Sequence, residues 1–132
     1  MNLTRGGGEL VLVVDDDPSI REITRLTLET YGYRVLLACD GADAVAVYAA
    51  RGAEIAVVLT DMMMPEMDGI TAIRILRGMD PGVRIIAASG YAADNGPTRL
   101  ASLGVTHFLT KPYERGALLR ALDEVMGART VG

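Results

Sequence analysis

Asp15, Asp16, Asp61, Ser89 and Lys111 carry oxygen and nitrogen groups suited to metal or phosphoryl chemistry, and each stands at the end of an apolar run. Asp15, Asp16 and Asp17 follow LVLVV, Asp61 follows IAVVLT, Ser89 follows IIAA, and Lys111 follows FLT with Pro112 behind it. Taken singly, each has an ordinary explanation. Asp17 is a helix cap, Asp15 and Asp61 are turn formers, Ser89 is a loop residue, and Lys111 is a solvated charge. Together they ask for a ligand, because crowded carboxylates repel one another unless a cation or a lysine offsets them.

Carboxylate oxygens completed by waters and a phosphate oxygen are the ligand set of Mg²⁺, an octahedral ion that usually takes only one or two protein carboxylates. Zinc would want His or Cys. Neither Cys39 nor the lone His107 stands with a partner among these residues. Cys39, the one cysteine, can form no internal disulfide, and its apolar neighbours make it an expected small core residue. His107 is expected on the surface of a strand. A carboxylate can also act as a nucleophile toward a phosphoryl group, giving an acyl phosphate, when a metal and a lysine neutralise the transferring oxygens. Asp61 holds the central position for that role. Ser89 could donate a hydrogen bond to one phosphate oxygen while Lys111 pairs with another.

These residues meet only if the runs before them lie side by side. Five β-rich runs are expected as strands: Leu10 to Val14, Arg34 to Ala38, Ile55 to Thr60, Arg84 to Ala88 and Thr106 to Leu109. Near-continuous apolar strands imply burial on both faces, as in a parallel sheet with helices on each side. The alternation of strands and helical patterns gives an α/β fold, whose strand carboxyl ends share one edge where ligands bind. Asp17 and Pro18 start the first helix and Gly32 stops it. Asp40 caps a second, with Ala44, Val45 and Tyr48 on one face before Gly52. Ile70, Ile73 and Leu76 form a third stripe ahead of Gly78. A fourth helix is expected to start near Pro97 and end before Gly104. A fifth runs from about Glu114, with Ala117, Leu118, Ala121, Leu122 and Val125 facing the core.

At 132 residues the chain is one domain long. The expected division is a Gly-rich lead or linker over 1–8, the domain over 9–127 and a tail over 128–132. A net charge of −4 with scattered basic residues argues against direct binding of nucleic acid. No apolar stretch approaches the roughly 20 residues of a membrane span, and the first residues lack a secretory core. No membrane insertion and a cytoplasmic location are therefore expected.

The motifs VVDDDPSIR, LTDMMMPEMDG, IAASGY and FLTKP, in this order and at these separations, resemble the receiver domain of two-component response regulators across Leu10 to Met126. They are most similar to receivers attached to hybrid sensor histidine kinases. The resemblance implies a flavodoxin-like, three-layer sandwich with a five-stranded parallel sheet, order 2-1-3-4-5, and five helices. It implies that Asp61 is the phosphoacceptor, that Asp16, Asp61 and the backbone carbonyl of Met63 hold Mg²⁺, and that Asp15 helps through water. Ser89 matches the switch hydroxyl, where threonine is common. Phe108 matches the switch aromatic, where tyrosine is common. Lys111 matches the phosphate-binding lysine, and Pro112 follows it in a cis peptide bond. Met63 and Tyr91 flank the path of an attacking water, so their bulk is expected to slow loss of the phosphoryl group.

The implied role is a phosphorelay switch rather than an enzyme with turnover, with slow self-dephosphorylation. The implied partner is a histidine kinase or histidine phosphotransfer domain, and the remodelled surface is the fourth helix, fifth strand and fifth helix, through which a homodimer could form. A magnesium-dependent phosphatase would also use an aspartate nucleophile, but it would need a second acid where Met63 stands, and a capping insertion. A degenerate, binding-only receiver would lack one of the charged positions, and none is missing.

Overall fold

Each of the five apolar runs becomes a strand, and the strands pair in parallel. The computed structural model describes residues 6–62, 69–90 and 101–126. In chain order the elements are β1 (Leu10–Val14), α1 (Pro18–Thr30), β2 (Arg34–Ala38), α2 (Gly41–Arg51), a short 3₁₀ turn (Gly52–Glu54), β3 (Ile55–Asp61), α3 (Gly69–Met79), β4 (Ile85–Ser89), β5 (His107–Thr110) and a C-terminal helix, α4 (Arg115–Val125). The sheet order is β2-β1-β3-β4-β5, all parallel, as expected for the flavodoxin-like receiver architecture.

Side chains of successive strand residues point to opposite faces, so each central strand feeds two cores. Leu10, Leu12, Val14, Val58, Ile85 and Ala87 pack with Ala44 and Tyr48 of α2 and with Ile73 and Leu76 of α3. Val11, Val13, Val57, Leu59, Ile86 and Ala88 pack on the other face with Leu28 of α1 and with Leu118, Leu119 and Leu122 of α4. Leu28, Leu119 and Leu122 are wholly buried, so truncating one of them to alanine should cost about 2 to 5 kcal/mol.

The helix ends follow local chemistry. Asp17 accepts the Ser19 and Ile20 amides at 2.8 and 3.4 Å and thereby satisfies donors that α1 leaves open. Gly32, at φ +95°, follows Tyr31 and turns the chain toward β2. A side chain there would also meet the Gly6 carbonyl oxygen at 2.5 Å. Gly6 and Gly8 of the Gly-rich lead donate to the Tyr31 and Gly32 carbonyls at 2.7 and 2.8 Å, which ties these residues to the α1–β2 turn.

Several expectations shift. β3 reaches Asp61, while β4 and β5 each sit one residue later than expected and end at Ser89 and Thr110. Gly78 does not stop α3. The helix runs to Met79, because exposed Gly78 is asked for no special conformation and the following Pro81 ends the helix instead. Cys39 is exposed rather than in the core: it follows the edge strand β2, whose own residues are mostly not buried. The described residues contain four α-helices. The expected fourth helix from Pro97 lies largely outside them, with Ala101 and Ser102 helical.

Candidate functional site

Strand register gathers the site. β1 lies beside β3 with Val14 opposite Thr60, β3 beside β4 with Asp61 opposite Ala88, and β4 beside β5 with Ser89 opposite Thr110. Asp15, Asp61, Ser89 and Lys111 therefore arrive together at the carboxyl edge of the sheet, Asp61 and Ser89 as the last residues of their strands.

Asp15, Asp16 and Asp61 each direct a carboxylate oxygen into a common space, and these oxygens all lie within 4.8 Å of one another. Asp15 and Asp61 are buried, at 4% and 5% exposure, whereas Asp16 faces solvent. The Lys111 Nζ atom donates to Asp15 Oδ2 at 2.8 Å and stands 3.3 Å from Asp61 Oδ2. One ammonium thus serves two buried carboxylates. Burial pulls the Lys111 pKa down, but the hydrogen bond to Asp15, the charges of Asp61 and Asp15 and the bond to Asp61 outweigh it, leaving the pKa above the usual lysine value.

Local structure holds these groups in place. Asp15 Oδ1 accepts the Asp17 amide at 2.9 Å, and the Asp15 carbonyl accepts Arg21 Nη1 at 2.7 Å. The Lys111 amide donates to the Ser89 carbonyl at 2.8 Å, and the Lys111–Pro112 bond is cis. Behind Asp61, Gly69 begins α3 with its amide 3.2 Å from the Met62 carbonyl. A Cβ at Gly69 would stand 2.8 Å from Met62 Cα and 2.9 Å from the Asp61 carbonyl oxygen, so only glycine permits this approach.

The structure brings together Asp15, Asp16, Asp61 and Lys111. Ser89 is half-buried at the end of the neighbouring strand, and Pro112 follows the lysine. Phe108 is 41% exposed on β5, outside the acidic cluster. Met63 and Tyr91 lie outside the described residues. Arg21 and Gly69 were not anticipated as parts of the site. For Gly69 a signal existed, a glycine closing the PEMDG run, while Arg21 is one of two arginines on α1 with nothing in the sequence to set it apart. Among the described residues no helix is long and apolar enough to cross a membrane.

A doubly wound parallel sheet of this order, with an acidic cluster and a lysine at its carboxyl edge, defines a receiver, and the chain belongs to the response regulator receiver domain family, whose sequence profile matches residues 11–123. It is 34% identical over 120 residues to the sensor kinase CckA of Brucella abortus, covering 91% of this chain and 13% of that protein. It is 37% identical over 112 residues to the CAI-1 autoinducer sensor kinase/phosphatase CqsS of Vibrio cholerae, covering 83% and 16%. The chain thus spans less than a fifth of either sensor kinase. Among solved structures, the CheX-CheY-BeF3-Mg+2 complex from Borrelia burgdorferi contains a chain of 28% identity that superposes with a TM-score of 0.82, covering 89% of this chain and 88% of that one.

Proposed function

We propose that this receiver is a phosphorylation switch in which Asp61 accepts a phosphoryl group from a phosphohistidine. The observation that carries the reading is the convergence of Lys111 on Asp15 and Asp61 beside the Asp16 carboxylate. An Asp61 oxygen attacks phosphorus, a P–O bond forms, and the P–N bond breaks with its electron pair returning to the donor imidazole. Lys111 pairs with one phosphate oxygen, and the Ser89 hydroxyl donates to another.

The three carboxylates suit a hard, oxygen-seeking cation. Asp16 and Asp61, with Asp15 through water and the Met63 carbonyl, would hold Mg²⁺, which supplies charge neutralisation on the transferring oxygens. A relative solved with beryllofluoride and magnesium in its complex supports both halves of this reading. Phe108 is exposed here, as the resting state of a switch aromatic requires. Its turning inward would remodel β5, α4 and the segment preceding β5, the face where a homodimer would also form.

The donor is a histidine kinase or a histidine phosphotransfer domain, a reading supported by the sensor kinases among the relatives. The setting is cytoplasmic, with residues 9–127 as the domain, 1–8 as its lead and 128–132 as its tail. Loss of the phosphoryl group is slow self-hydrolysis, held back by the bulk of Met63 and Tyr91, and not steady turnover of phosphate esters. Mass spectrometry after incubation with acetyl phosphate and Mg²⁺ tests the reading. One acyl phosphate on Asp61, absent from Asp61→Asn and from samples with chelator, is expected; an unmodified parent chain refutes it.

A further inference from the structure

Helix α1 carries three threonines in its middle and last turns, and one of them behaves differently from the others. Thr27 and Thr30 turn their hydroxyls back onto the Ile23 and Leu26 carbonyls at 2.9 and 2.7 Å, the usual local outlet for a helical threonine. Thr24, only 2% exposed, reaches out of the helix, and its Oγ1 shares a hydrogen bond of 3.0 Å with the hydroxyl of Tyr113, 89 residues away. A hydroxyl bond between a buried Thr24 and a half-buried Tyr113 is directional, so its geometry constrains both elements.

Tyr113 stands two residues beyond Lys111. The Lys111–Tyr113 turn is therefore fastened at two places: the Lys111 amide to the Ser89 carbonyl of β4, and the Tyr113 hydroxyl to α1. One turn earlier on the same helix, Arg21 holds the Asp15 carbonyl. Helix α1 is thus a strut gripping both sides of the 2.8 Å Lys111–Asp15 pair, through Arg21 on one side and Thr24 on the other. Beside the strut, an apolar cavity of about 370 Å³, lined by Ile20, Ile23, Thr24, Lys111, Pro112 and Tyr113, leaves the turn without close packing on that side. The Tyr113 ring packs on the core that holds Leu28, Leu118 and Leu122, and the hydroxyl pair adds a directional fastening to that packing.

We infer that Tyr113, through its hydrogen bond to Thr24, is a positioning residue that sets where the Lys111 ammonium stands during phosphoryl transfer to Asp61. This inference rests on the reading of Asp61 and Lys111 given above. Tyr113 touches no reacting atom and acts only through the turn. The hydroxyl also lies within the field of Asp15, Lys111 and Asp61, each of which perturbs its acidity after the larger effects of burial and the Thr24 bond.

The test removes each hydroxyl with little change of shape, in Tyr113→Phe and Thr24→Val, and follows phosphorylation by acetyl phosphate at saturating Mg²⁺. Each variant is expected to slow acyl-phosphate formation about fivefold, the rate equivalent of the roughly 1 kcal/mol of one neutral hydrogen bond. The double variant should lose no more than either single one, and Mg²⁺ affinity should stay at the parental value. In a Lys111→Ala background, Tyr113→Phe should have no further effect. A parental rate in Tyr113→Phe, or a loss that persists undiminished without Lys111, overturns the positioning role. If the parent takes up no phosphate, or Asp61→Asn takes up as much, the site reading itself fails and the inference with it. Parental labelling at Asp61 with an unaffected Tyr113→Phe leaves that reading standing and sinks only the positioning role.

Discussion

The two ends of the sheet bury charge in opposite ways. At the amino end of β4 and β5, Arg77 of α3 donates to the carbonyls of Pro81, Val83, Leu103 and Gly104, with bonds of 3.1, 2.8 and 3.0 Å to the first, third and fourth. Beside it, Tyr48 of α2 donates to Asp80 at 2.8 Å. The guanidinium there is met by acceptors on several sides, and it fastens two loops to a helix. At the carboxyl end, one lysine serves Asp15 and Asp61 while a third carboxylate, Asp16, stands beside them. The first arrangement is complete as it stands and serves stability. The second is short of positive charge, which costs stability in the absence of a cation and makes the edge receptive to one.

The comparison predicts that changes at the amino end alter folding and leave chemistry alone. Arg77→Met withdraws donors from four carbonyls and should lower the free energy of unfolding by about 2 to 3 kcal/mol, measured in urea. Acyl-phosphate formation by the folded fraction should keep its parental rate. An Arg77→Met chain of parental stability would break the contrast.

Changes at the carboxyl end should do the reverse. In an effective dielectric of about 20, the repulsion between buried Asp61 and Asp15 is worth about 3.5 kcal/mol or more and the Lys111 attraction at 3.3 Å about 5, while exposed Asp16 adds a repulsion that solvent screens. Because Asp15 shares the same ammonium, Asp61→Asn should stabilise the magnesium-free protein by about 1 kcal/mol, although it abolishes phosphate uptake. Adding Mg²⁺ to ten times its dissociation constant should raise parental stability by about 1.4 kcal/mol. Asp61→Asn should gain much less, and equal gains by both chains would place the ion elsewhere.

The smallest expected effect sharpens the view of the amino end. Burial first, and then the hydrogen bond to and charge of Asp80, push the Tyr48 hydroxyl up to about 12 from its ordinary 10, against a pull downward from Arg77. The native tyrosine keeps its proton where the unfolded chain gives it up. This contribution to stability is therefore whole below pH 10 and is lost as pH rises toward 12. Tyr48→Phe should flatten that decline by about 1 kcal/mol, read from urea midpoints across the interval.

How much of this was legible in the sequence follows from which interactions are local. LVLVV and IAVVL announced buried parallel strands because both faces are covered, and Asp17 with Pro18 announced α1 because capping acts within one turn. Asp15, Asp16, Asp61 and Lys111 were legible because strand ends must converge in such a sheet. Edges were less so. Cys39 looked like core beside its apolar neighbours, yet an edge strand covers less. Gly78 looked like a stop, yet Pro81 sets the end of α3. Arg77 reaching Leu103 and Gly104, and Thr24 reaching Tyr113, span tens of residues and leave no periodic trace, so only the folded chain reveals them.

The carboxyl edge is tested most directly by fluorine NMR of beryllofluoride, a mimic of the phosphoryl group, added with Mg²⁺. Bound fluorine resonances are expected with the parent chain, weakened in Lys111→Ala and absent from Asp61→Asn and from chelated samples. Bound resonances that survive in Asp61→Asn, or none with the parent, would contradict the assignment of this edge as the phosphoacceptor site.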